Sequence, residues 1–141
     1  MKKTIDALFF VFVPLLAGAV LYYVFCPETI FVEWIDKWIS IGYHIYPNYD
    51  NIWLRMLRYY LFDALWAYSL MMAVLYIIQP PKNKLLIYFV GVFLFEIVME
   101  SVQLFSCIKG TFDVFDILLE AIINVLVIKI YTWREYHEKE I

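Results

Sequence analysis

The chain has 141 residues, of which 65% are apolar and 21% aromatic, and its mean hydropathy of +0.74 excludes an ordinary soluble domain and points to a membrane protein. A formal net charge of −3, with no basic block or Lys/Arg-rich face, excludes nucleic acid as a partner. Cys26 and Cys107 have no C-x-x-C spacing, which excludes a disulfide framework and a cysteine zinc or redox site; two unrelated apolar cysteines are expected, with a single bridge between them as the alternative.

A bilayer span needs about 20 mostly apolar residues. Four windows qualify: Ala7–Cys26, Tyr59–Ile78, Leu85–Phe105 and Val114–Tyr131. They predict an all-α fold, an integral-membrane four-helix bundle that forms one domain over residues 1–141. The opening "MKKTIDALFFVFVPLLAGAV" also has the basic start and A-x-A-like "AGA" of a secretory signal. Its apolar run continues through "VLYYVFC", long enough to span, so a retained first span is expected.

Between the first two spans, Phe31, Trp34, Ile35, Trp38, Ile39 and Ile41 recur at roughly helical spacing with charges between them. This predicts an amphipathic segment lying on the membrane interface, its aromatic rings at headgroup level. "QPPKNK" at 79–84 predicts a tight turn in which the prolines stop one helix before the next begins. Basic residues in the short loops set the orientation. With both termini inside, Lys2, Lys3, Lys82, Lys84, Lys129, Arg134 and Lys139 face the cytoplasm, against Lys37, Arg55, Arg58 and Lys109 outside. The expected location is the cell (inner) membrane, with both termini cytoplasmic.

The third and fourth spans carry a polar face each. At about 100° per residue, Glu96, Glu100 and Gln103 fall within an arc of roughly 60°, and Asp113, Asp116, Glu120 and Asn124 within roughly 80°. Only a short loop, "SCIKGT", joins the two helices, so they are antiparallel. Folding the chain about Gly110 pairs Glu96 with Asn124, Glu100 with Glu120, and Gln103 with Asp116. Asp63, one turn into the second span, enters from the same outer side, with Arg55 and Arg58 just above it.

An ionised carboxylate deep in a span costs about 2.5 to 3.5 kcal/mol on insertion scales. Asp63, Glu96, Glu100 and Glu120 together therefore oppose folding by about 10 kcal/mol, comparable to the whole stability of a small domain. Interhelical glue is the bland alternative, but Gln, Asn, Ser and Thr supply it at lower cost. Asp113 alone also reads as a helix cap.

Convergent carboxylates and amide carbonyls are hard oxygen ligands suited to Mg²⁺, Ca²⁺ or Mn²⁺. The expected cation ligands are Glu100, Gln103, Asp113, Asp116 and Glu120. The ion would hold a phosphate of a membrane lipid or lipid-linked precursor, with Arg55, Arg58, Asp63, Glu96 and Asn124 lining the substrate side. Glu100, Asp116 and His44 are the candidate catalytic groups, His44 as a base or, alternatively, only an interfacial residue. Three function classes follow: a headgroup-transferring enzyme, a lipid- or antibiotic-binding protein without turnover, and an ion or proton pathway. The last is disfavoured because residues 85–95 offer almost no polar continuation inward.

The stretch "ESVQLFSCIKGTFDVFDILLEAIIN" resembles the signature of VanZ-like membrane proteins: E-x-x-Q in one span, a loop with G-T-F-D, then D-x-x-D and a later Asn. The matching positions are Glu100, Gln103, Gly110, Thr111, Phe112, Asp113, Asp116 and Asn124. The family's early D-K…H pattern finds a loose counterpart in Asp36, Lys37 and His44. The resemblance implies a link to glycopeptide (teicoplanin-type) resistance and kinship with membrane proteins that act on lipid headgroups or lipid-linked phosphates.

Overall fold

The computed structural model describes residues 5–6, 8–27, 29–39, 42–45, 51–104 and 112–137; for residues 30, 31, 54, 57–59, 136 and 137 it describes the backbone alone. Among the described residues every regular element is helical.

A π-helical turn over Leu8–Phe12 leads into helix α1, Val13–Phe25. Pro14 in the first turn of α1 explains the loosened turn before it. Its ring has no N–H to donate and crowds the carbonyl four residues back, so the preceding chain widens rather than continuing as a regular helix.

Helix α2, Ile30–Ile39, has Glu33 in its first turn and Lys37 in its last, each placed favourably on the helix dipole. Val32 on its inner side is fully buried, whereas Trp34 and Trp38 are exposed and lie with ring centroids 6.0 Å apart. The segment after it returns to the bundle, where the Ile45 N–H donates to the Val24 carbonyl at 2.9 Å.

Helix α3, Ile52–Ile78, is capped by Asn51, whose side-chain oxygen accepts from the Trp53 N–H at 3.0 Å. It ends at Gln79, which takes a left-handed conformation (φ 51°) before Pro80 and Pro81, which cannot continue the helix. A single 3₁₀ turn, Lys82–Lys84, starts helix α4, Leu85–Val102, and helix α5 runs from Val114 to His137.

Three helical stretches are long and apolar enough to cross a membrane: Leu8–Phe25, Tyr60–Ile78 and Lys82–Val102. Helix α5 has the length of a fourth span, but Asp116, Glu120 and Lys129 interrupt its apolar stretch. Two predicted limits also shift. Helix α3 starts outside the predicted span at Ile52, and α5 continues past Tyr131 to His137.

Helix α3 is the central element. It packs most extensively on α5 and then on α1, while α4 closes against α5 and, less extensively, α3. Ala67, Met71, Met72 and Leu75 of α3 are completely or almost completely buried as a result. Outward-facing Leu16, Ile77, Leu86, Leu94 and Ile122 form the apolar exterior that a bilayer would cover.

The bundle is chemically polarised along its axis. At the end holding the Pro80–Lys84 turn, Val11, Met71, Met72, Leu75, Val92, Val127 and Tyr131 make one apolar core. Arg134 closes that end: it donates to the Tyr76 hydroxyl at 3.0 Å and to Asp6 at 3.3 Å, and its guanidinium sits 4.2 Å from the centre of the Phe10 ring. One side chain of α5 thereby holds both α3 and the N-terminal turn. Charged hydrogen bonds and a partly desolvated cation–π contact contribute on this scale, so Arg134→Ala is expected to destabilise the folded chain by about 1–3 kcal/mol. Thermal denaturation in detergent checks this, with Asp6→Asn expected to cost less because Tyr76 and Phe10 remain.

Candidate functional site

The opposite end of the bundle holds the acids. Helices α3 and α5 run parallel, and the edge-on contact of Tyr76 with Tyr131, centroids 5.7 Å apart, fixes their register. By the common rise of 1.5 Å per residue, Asp63 then stands level with the turn between Asp116 and Glu120, and Ser69 level with Asn124.

Helix α4 runs back between them. The Asn124 side-chain amide donates to Glu96 Oε2 at 2.7 Å, both residues being buried. The predicted pairing of these two positions is therefore a direct contact. One turn outward, Glu100 accepts the Gln103 side-chain N–H at 2.5 Å and the backbone N–H of Asp113 at 2.9 Å. Gln103 thus serves Glu100 on its own helix and not Asp116 across the bundle. Asp113 starts α5: its Oδ1 accepts the Phe115 N–H at 2.9 Å, a capping contact that leaves Oδ2 for other partners.

Glu100 and Glu120 are buried, and Asp63 and Asp116 are half-buried. All four interact electrostatically, and Glu120 also feels Glu96, so that Glu120 links the outer acids to the inner Glu96–Asn124 pair. Among the described residues four buried oxygens here have no hydrogen-bond partner: Glu96 Oε1, Asp116 Oδ1, Glu120 Oε2 and Asn124 Oδ1. The Ser69 hydroxyl, on the neighbouring face of α3, is likewise unpaired. Among the described residues no Lys or Arg pairs with any of these carboxylates. Oxygen acceptors in excess of donors, held by a low-dielectric bundle, make a site that attracts a hard cation or an N–H-bearing ligand.

Among the described residues no three His, Cys, Asp or Glu side chains are grouped closely enough to enclose a metal ion by themselves. A cation here would have to be completed by amide oxygens or by oxygens of its ligand, as Mg²⁺ often is by substrate phosphates.

Arg55 is exposed near the start of α3, and the Arg58 side chain, Gly110, Thr111 and Cys107 lie outside the described residues. His44 belongs to a second constellation, on the interfacial side. Its Nε2 is 2.7 Å from Asp36 Oδ2 and its Nδ1 3.1 Å from the Tyr23 carbonyl, while the Tyr23 hydroxyl donates to Asp36 Oδ1. Both ring nitrogens face oxygen acceptors, so neither is free to take a proton from a third group in this arrangement. The nearby hydroxyl of Ser101 is also engaged, donating to the Ile97 carbonyl at 2.6 Å.

Tyr23, Asp36 and His44 tie the outer end of α1 to α2 and the returning chain. Sequence reasoning missed Tyr23 and Ser69, because one tyrosine or serine in an apolar helix carries no periodic signal. The Tyr23 hydroxyl, opposed by burial and reinforced by His44, holds the Asp36 carboxyl below its ordinary value of 3.8.

Comparison with protein-family models, with curated proteins and with solved structures found no match for this chain.

Two outcomes follow from these contacts. Asn124→Leu, which leaves Glu96 without a donor, is expected to cost about 1–3 kcal/mol, and adding Glu96→Leu to recover much of that loss; a double-mutant cycle by thermal denaturation reads the coupling. Because the Asp36 value is depressed on folding, its stabilising contact is present above 3.8 and is lost as the pH falls through the lower, folded value. Tyr23→Phe should make the α1–α2 contact open at a higher pH than in the parent, followed by the fluorescence of Trp34 and Trp38 during acid titration.

Proposed function

We propose that the chain is a four-span protein of the cell membrane with both termini cytoplasmic, in which α5 forms the fourth span by burying its acids against α3 and α4. The loop charges support this orientation, with seven basic residues on the inner side and four on the outer. The site then opens toward the outer leaflet.

In this reading the acids bind a divalent cation, Mg²⁺, Ca²⁺ or Mn²⁺, together with a phosphate-linked lipid headgroup or lipid-linked envelope precursor, and transfer or exchange that headgroup. The observation that carries it is the convergence of Asp63, Glu100, Asp116 and Glu120 from three helices with buried oxygens left unpaired. Such an ion would be held by these acids and would supply positive charge that offsets theirs and the phosphate's and polarises the phosphoryl group. Glu100 and Asp116 are the central ligands, with Gln103, Asp113 and Glu120 around them. The resemblance of residues 100–124 to VanZ-like proteins supports the same reading, including a link to glycopeptide resistance.

His44 enters as a positioning residue that holds α2 over the outer end, since both its nitrogens are engaged. That engagement, with that of Ser101, favours a second reading: a protein that binds the lipid or a glycopeptide without turnover. A base in the first reading would be one of the carboxylates.

Mass spectrometry of a native lipid extract incubated with the purified chain and each cation separates the two. The enzyme reading expects a cation-dependent headgroup change lost in Glu100→Gln and Asp116→Asn. Glu100→Gln keeps an oxygen for the Asp113 N–H, so folding should survive. Unchanged lipid that co-purifies only with the parent chain supports binding, and full turnover in both folded variants overturns the cation assignment.

A further inference from the structure

One of the acids, Asp63, also lines a groove. Between α1 and α3 lies an open groove of about 340 Å³, within the usual range of small-molecule sites, lined by Pro14, Gly18, Tyr22, Phe62, Asp63 and Trp66 among others. Its walls are apolar apart from Asp63. Tyr22 and Phe62 meet edge-on at its outer end, centroids 5.3 Å apart. A Cβ at Gly18 would stand 3.4 Å from the Leu65 side chain, an ordinary contact, so a small side chain fits there whereas a large one would fill the groove.

A carboxylate on the wall of a lipid-facing groove is costly and demands a partner. Asp63 interacts electrostatically with Glu100, Asp116 and Glu120, so the groove and the buried acids share a single electrostatic environment. The occupant must therefore combine an apolar body with a cation. A second copy of the chain does not supply this at the depth of Asp63: the one Lys or Arg within its spans, Lys129, stands level with Val74, eleven residues further inward. The Asp63 carboxylate is a hydrogen-bond acceptor as well as a charge, so the cation that suits it best also donates N–H. A primary ammonium provides three N–H donors on one charge, whereas a quaternary ammonium provides none.

We propose that this groove is the lateral entry for a phospholipid whose headgroup carries a primary ammonium. The acyl chain lies along Pro14, Gly18 and Trp66, and the ammonium pairs with Asp63, which leaves Glu100, Asp116 and Glu120 to the cation and the phosphate. The proposal rests on the reading of the acids as a lipid-headgroup site, and it names the headgroup that site takes.

The test places a photo-reactive diazirine side chain at Ala19, beside the groove, in the full chain reconstituted in vesicles of equal phosphatidylethanolamine, phosphatidylcholine and phosphatidylglycerol. After irradiation, adducts are identified by mass spectrometry, with the same probe at Leu94 on the outer face of α4 as reference. Adducts at Ala19 are expected to be severalfold enriched in phosphatidylethanolamine, while those at Leu94 mirror the bilayer. Asp63→Asn should return Ala19 to the bilayer composition, and Gly18→Phe should suppress its lipid adducts altogether. Bilayer-like adducts at Ala19, equal capture of phosphatidylcholine, or a cross-linked second copy would overturn the proposal. Enrichment at Ala19 without any headgroup change keeps the entry and overturns turnover; a cation-dependent headgroup change with bilayer-like adducts at Ala19 does the reverse.

Discussion

The carboxylate of Glu100 ties the end of α4 to the start of α5, two helices that also meet deeper in the bundle through Glu96 and Asn124. One of its oxygens takes the Asp113 N–H at the start of α5 and the other takes Gln103 near the end of α4. An exposed N–H at a helix start is one of the orphan donors every helix must place, and in an apolar bundle there is no water to take it. Glu100 fills that need and so sets where α5 begins relative to α4. Everything deeper follows from that register: Asn124 arrives opposite Glu96, and Glu120 arrives among Asp63, Glu100 and Asp116. A slip of one residue would rotate the α5 acids by about 100° and break every one of these relations.

Stability and chemistry are segregated along the bundle. The end near the Pro80–Lys84 turn is apolar, tightly packed and closed by Arg134, whose guanidinium has an aromatic ring, a hydroxyl and a carboxylate around it. The other end concentrates acids whose oxygens outnumber their donors. Such an arrangement opposes folding by several kcal/mol and persists only because packing elsewhere over-determines the fold. A site that leaves acceptors bare is already organised for a ligand that brings charge and donors.

The interfacial helix α2 fits this division. Its contact with α1 depends on Asp36, held between Tyr23 and His44, and the segment returns to α1 through a backbone bond at Val24. The acids therefore sit at the same end of the bundle as this cluster of polar contacts. Helix α1 packs on α3 and leaves a groove rather than a seal beside Asp63.

The sequence by itself determined the helical class, the apolar stretches and the two polar faces on α4 and α5, because helical periodicity and hydropathy are local properties that burial amplifies. The Glu96–Asn124 contact was legible for the same reason: two periodic faces joined by a short loop admit few registers. Tertiary structure decided what periodicity cannot carry. Gln103 turned to its own helix because Glu100, three residues back, was nearer than Asp116 across the bundle, and His44 was used up by Asp36 and Tyr23, residues 8 and 21 positions away. Arg134, read from sequence only as a cytoplasmic charge, met Asp6 from 128 positions away because α5 and the N-terminal turn both pack on α3. Which of the acids lack a donor, and that Asp63 borders a groove, are likewise set by how three helices close on one another, a relation that no single stretch of chain contains.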